Sequence, residues 1–80
     1  MEDVKLDLKQ IHELINDCWK VIRTYYNAEP TDENAAKVVH ETDAIYAKYK
    51  YAVTAKGAVL WTVNEIERHW RPDVWIGGYY

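Results

Sequence analysis

From Ala35 to Trp70 an apolar residue recurs every third or fourth position: Ala35, Val38, Ile45, Tyr49, Ala52, Val59, Val63, Ile66 and Trp70, with Thr42 and Lys56 as the only interruptions. That is the heptad stripe of a helix with one side buried. No proline interrupts it, and its only glycine is Gly57. Unbroken, it is a rod of about 36 residues and roughly 54 Å. An earlier stripe, Val4, Leu8, Ile11, Ile15, Cys18, Ile22 and Tyr25, predicts a first helix over residues 3–27. Leu14, Trp19, Val21 and Tyr26 widen its apolar face, as suits a helix that touches two neighbours. Early acids (Glu2, Asp3, Asp7) and late cations (Lys20, Arg23) complement its dipole.

The clear break is the turn over residues 28–31. Pro30 cannot continue a helix, and Thr31 or Asp32 caps the next one. So short a loop returns the chain antiparallel to itself. The expected fold is therefore all-α: one domain over residues 1–80, an antiparallel helical hairpin whose second part runs over 32–71, then an aromatic tail over 72–80. Two arrangements remain open beyond Gly57, where the second helix outruns the first. Gly57 ends the helix and residues 58–71 fold back, giving a three-helix bundle. Alternatively the helix continues, straight or kinked at Gly57, and a second subunit buries the overhang. Glycine inside a helix costs only about 1 kcal/mol, and the stripe keeps its phase across Gly57, which favours the long helix in a homo-oligomer.

Composition changes this picture in two ways. The aromatic set of four Trp, seven Tyr and no Phe is rich in rings with a polar handle, which concentrate at interfaces and ligand surfaces. The formal charge of −3 is uneven: residues 1–45 carry −5 and residues 46–80 carry +2. A global acidic charge argues against binding long nucleic acid, though not against a small anion in a local basic patch. Charges recur too often for a membrane span or signal peptide, so the cytoplasm is the expected location.

Candidate chemistry is sparse. No nucleophile triad, phosphate loop or metal-spaced Cys/His cluster is present, so no enzyme activity and no cofactor is expected. Glu65 and His69 share a helical face, as metal ligands can, but also as an ordinary solvated pair does. His12 and His40 are isolated, and Cys18 falls on the core stripe. The run Tyr46–Lys56 is more informative, with three lysines, three tyrosines and no acid. Lysines neutralise phosphate and tyrosine rings stack on bases. Lys48, Lys50, Tyr51 and Lys56 are the candidate ligand-binding residues, with Arg68 and Arg71 as further cations. The ordinary alternative places Tyr49 in the core with snorkelling lysines beside it.

The run Ala58-Val59-Leu60-Trp61, followed by Ile66 and Arg68, resembles the helix "A-x-M-W-x-x-x-x-I-x-R" of a helical-hairpin domain shared by phage anti-CBASS and anti-Thoeris nucleotide sponges. The resemblance covers about eleven residues. It departs from the family's pattern at Ala55-Lys56-Gly57, where the family has Leu-Glu-Glu, and in the position of the hairpin turn. It implies a small helical oligomer that sequesters a cyclic nucleotide immune messenger at subunit interfaces in the host cytoplasm, with Arg68 as a phosphate contact. The alternative function is a helical inhibitor or adaptor that binds a partner protein through aromatic and acidic surfaces.

Overall fold

The computed structural model describes residues 4–71. Among them are three helices and no strand: α1 (Leu8–Tyr25), α2 (Asp32–Lys48) and α3 (Val53–Trp70). The proposed aromatic tail, residues 72–80, lies outside the described residues, as does the first residue of the expected 3–27 helix. Each helix packs against both others. Tyr25 meets Glu41 while Asp17 meets Lys48 and Tyr49, so α1 and α2 run antiparallel. The Trp70 indole donates to the Tyr25 carbonyl at 2.9 Å, and the Tyr26 ring stacks on His69, so α3 runs parallel to α1.

Local chemistry starts the first two helices. Asp7 accepts from the Gln10 backbone N–H at 2.8 Å, and the Gln10 side chain accepts from the Asp7 backbone N–H at 3.0 Å, a closed capping box. Thr31 caps α2 through the Asn34 N–H at 3.1 Å. Ala52 gives α3 no side-chain cap.

Of the two arrangements left open above, the chain takes the three-helix one, with its second break displaced from Gly57; the single helix over 32–71 is not formed. Helix α2 ends at Lys48, and Gly57 lies inside α3. The reversal sits at Tyr49–Ala52, a segment with neither glycine nor proline. Lys50 and Tyr51 adopt left-handed backbone, with φ of 56° and 61°. The Lys50 N–H donates to the Ala47 carbonyl and the Tyr51 N–H to the Tyr46 carbonyl, both at 3.0 Å. These are the two bonds of a Schellman cap, and the Tyr46 and Tyr51 rings supply its apolar contact, edge to face at 4.9 Å. Glycine normally stands where Lys50 does.

The turn takes no residue out of the stripe. Tyr49 and Ala52 are buried within it, and only Lys50 and Tyr51 face solvent. The core continues as Ala55, Val59, Thr62 and Ile66, joined by Val38, Thr42 and Ile45 from α2. Ala55 and Thr62 are buried beside the expected stripe positions Lys56 and Val63; Lys56 is exposed, and Val63 is half-buried against the core. Both core threonines donate their hydroxyls back along their own helix, Thr42 to the Val38 carbonyl at 2.9 Å and Thr62 to that of Ala58 at 2.8 Å. They are thus buried without an orphaned polar group. The stripe beyond Gly57 is covered by the chain's own helices and needs no second copy for its burial. In α1 the buried residues are Leu14, Cys18 and Val21; Leu8 and Ile15, expected on the core stripe, are exposed.

Two substitutions separate helix from turn. A Cβ at Gly57 meets nothing within 4 Å, so Gly57→Ala is expected to stabilise by up to about 1 kcal/mol. Lys50→Gly relieves a left-handed residue and is expected to stabilise by about 1 kcal/mol as well. Urea melts of the two variants check both values. A loss of stability at Gly57 would contradict its place inside α3.

Candidate functional site

The candidate residues from the sequence fall at two ends of the bundle. Lys48, Lys50, Tyr51 and Lys56 surround the α2–α3 turn, while Arg68 and Arg71 lie at the far end of α3. Lys56 and Arg68 are separated by about 18 Å along the helix. One chain therefore does not gather all six into a single pocket.

Their environments also differ. Lys48 is committed to structure: its ammonium donates to Asp17 Oδ2 at 2.8 Å, and the Tyr49 hydroxyl donates to the same oxygen at 2.7 Å. Burial opposes the Asp17 charge, but the bonds from Lys48 and Tyr49 outweigh it and hold the carboxyl below its usual range. Burial and the bond to the Asp17 carboxylate push the Tyr49 phenol up to about 12. This node clamps the end of α2 onto the middle of α1, just before the reversal. Lys50, Tyr51 and Lys56 are exposed around the turn. Arg68 is half-buried and ion-paired with Glu65 one turn earlier, and Arg71 is exposed where α3 ends.

The other sequence candidates resolve similarly. Glu65 holds Arg68, and His69 lies flat against Tyr26 with ring centroids 3.7 Å apart. The two do not converge on a common point. Cys18 is buried as expected; burial pushes its thiol up, partly offset by a hydrogen bond with the Thr62 side chain. That environment disfavours the thiolate a nucleophile needs. A shallow α1–α2 cleft brings Lys20 and Lys48 beside Asp17 and Glu41, a mixed lining that favours no anion.

The feature that sequence reasoning missed is an uncovered apolar face. Leu8 is 84% exposed, Ile15 58% and Trp19 56%, and Trp61 on α3 is 50% exposed. At about 100° per residue, Leu8, Ile15, Trp19, half-buried Ile22 and Tyr26 form one stripe along α1. It is rotated about 100° from the buried stripe of Leu14, Cys18 and Val21. The Cys18–Thr62 contact sets the α1–α3 register, so Trp19 and Trp61 flank that contact. Helix α2 packs on the other side, through Asp17 and Tyr25 of α1 and through a crevice where Val38 and Val39 meet Val63 and Trp70 of α3. The open face is therefore carried by α1 and α3 and lies away from α2. The signal was present in the unusual breadth of the apolar face of α1.

The chain matches no known family model, no curated protein and no solved structure. Among the described residues no helix is long and apolar enough to cross a membrane.

The Asp17 node has a pH signature. The Tyr49 pKa in the fold, about 12, exceeds the ordinary value of 10.0, so its contribution is complete below pH 10. It is lost as pH rises from 10 through 12. Tyr25, raised by its bond to Glu41, acts in the same direction. Chemical denaturation across this window is expected to show the wild type losing stability more steeply than Tyr49→Phe. Parallel curves would remove Tyr49 as the titrating group.

Proposed function

We propose that this chain is a non-enzymatic binding protein that docks a partner protein on its α1–α3 face. The supporting observation is the exposure of Leu8, Ile15, Trp19 and Trp61 along one side of a bundle whose core is already complete. Scattered surface leucines need no explanation, but a contiguous row with two tryptophans at its centre does. Tryptophan is enriched among the residues that dominate protein–protein binding energy. The acidic surface anticipated beside it falls largely on α2 and the loop before it, with Glu29, Asp32, Glu33, Glu41 and Asp43. The test is the double variant Ile15→Ser/Trp19→Ser, which leaves Leu14 and Cys18 in the core. A partner retained by the wild type and lost by the variant, with melting behaviour unchanged, supports the reading; retention by both sinks it.

A second reading keeps the nucleotide ligand. It rests on Lys50 and Tyr51, which the left-handed turn exposes, and on Lys56, exposed in the first turn of α3. Strained non-glycine backbone is a recognised mark of functional segments. In this reading a homo-oligomer brings Arg68 and Arg71 of one copy to the lysine–tyrosine turn of another, and the chain sequesters a cyclic nucleotide as the phage sponges do. Calorimetry with cyclic di- and trinucleotides and cyclic ADP-ribose isomers checks it. Binding is expected to weaken by roughly 1.5–3 kcal/mol in Lys50→Ala. Failure of every member to bind below about 10 μM, an affinity near 7 kcal/mol, removes this reading.

A further inference from the structure

The reversal at Tyr49–Ala52 is an unusual way to end a helix. Lys50 and Tyr51 both stand in left-handed backbone, with φ of 56° and 61°, where residues other than glycine are strained. The segment holds neither glycine nor proline, so nothing in its four residues prevents a right-handed helix. Beyond it, α3 starts at Ala52 without a side-chain cap. A helix running straight through would satisfy, by its own ladder, the backbone groups that two helix ends leave to turn bonds or solvent.

The core is arranged to permit that. On one continuous helix the buried residues of α2 (Val38, Thr42, Ile45) and of α3 (Ala55, Val59, Thr62, Ile66), with Tyr49 and Ala52 between them, fall within an arc of about 160°. Val38 and Ile66 line one crevice between α2 and α3, and they are equally distant from Ala52 along the chain. Two continuous helices laid antiparallel about a twofold axis near Ala52 therefore repeat the α2–α3 pairing of the closed chain. Ala52, with its small side chain, stands at the crossing. Helix α1 of each copy then meets α2 of its own chain and α3 of the other. The Trp70–Tyr25 and Cys18–Thr62 hydrogen bonds become contacts between copies.

We propose that residues 49–52 are a hinge, and that two copies of the chain exchange α3 through it to form a domain-swapped dimer whose helix is continuous from α2 to α3. Each copy keeps the contacts of the closed bundle and loses the strained turn. Against this stand the cost of association, the two turn hydrogen bonds and the Tyr46–Tyr51 contact. The closed chain therefore prevails at low concentration and the dimer at high concentration. The proposal goes beyond both binding readings, since it uses neither the open α1–α3 face nor a ligand.

The test refolds the full chain from urea at about 10 μM and at about 1 mM, and separates monomer from dimer by size-exclusion chromatography with light scattering. Monomer is expected at the lower concentration and dimer at the higher. Spin labels attached to the native Glu33→Cys/Glu67→Cys chain, in which Cys18 is buried, report the conformation of one chain when it is refolded with excess unlabelled protein. The two sites lie at the same end of the closed bundle, whereas on a continuous helix they are about 51 Å apart. The short distance is expected in the monomer and the long one in the dimer. Lys50→Gly relieves the closed turn and weakens the continuous helix, and is expected to raise the dimer dissociation constant at least roughly 100-fold. Tyr51→Ile, β-branched and so poorer in left-handed backbone, is expected to lower it at least roughly 10-fold. Ile15→Ser/Trp19→Ser is expected to leave the dimer intact. Wild type that stays monomeric at the higher concentration overturns the proposal. So does a dimer that keeps the short distance, or one that Ile15→Ser/Trp19→Ser abolishes, which assigns association to the apolar face. A dimer as strong in Lys50→Gly as in wild type removes residues 49–52 as the hinge.

Discussion

The reversal at Lys50 and Tyr51 is the constraint on which the bundle depends. A helix of the α3 pattern cannot bury its apolar stripe on itself, and α1 is too short to cover a straight continuation of α2. Turning the chain within Tyr49–Ala52 lays the second half of the stripe against both preceding helices. Two left-handed residues without glycine carry a steric cost of roughly 1–2 kcal/mol each. That cost is offset locally by two cap hydrogen bonds and the Tyr46–Tyr51 contact. It is offset globally by the burial of Ala55, Val59, Thr62 and Ile66.

The Asp17 node works beside that turn. A half-buried carboxylate is stable there because Lys48 and Tyr49 both donate to one of its oxygens. Its partners are the last helical residue of α2 and the first residue of the reversal, so it fixes where the helix stops relative to α1. At the opposite end the Trp70 indole on the Tyr25 carbonyl and the Tyr26–His69 stack fix the end of α3. The two helix ends are thus pinned to α1 by directional contacts, while the core between them packs by shape.

With both ends pinned and the core closed, the remaining apolar residues have no structural task inside the chain. Leu8, Ile15, Trp19 and Trp61 lie in a row because the bundle uses only one part of the broad apolar face of α1. This separates stability from binding: the core side of α1 is spent on α2 and α3, and its other apolar side is open. The exposed lysines of the turn, Lys50 and Lys56, are not part of that row. The partner-binding and nucleotide-binding readings therefore use different residues and can be tested independently.

The sequence alone carried the helical class, the first turn and most of the core. Pro30 and Thr31 marked a break by backbone chemistry that does not depend on tertiary contacts, and Val38, Ile45, Tyr49, Val59 and Ile66 announced their burial by spacing. The breadth of the α1 face was also legible, but not its division into a buried and an open half, because periodicity says that a face is apolar and not which neighbour covers it. The second turn was hidden for a physical reason. Its residues are a lysine and a tyrosine, which carry no turn preference, and it consumes none of the apolar spacing, so the stripe looks continuous where the chain reverses. Gly57, the residue with the local signal for a break, sits in a helix because packing of Ala55, Val59 and Thr62 on both sides outweighs the small helical cost of glycine. Only the tertiary structure decided these points, since each turns on contacts between residues far apart in the chain.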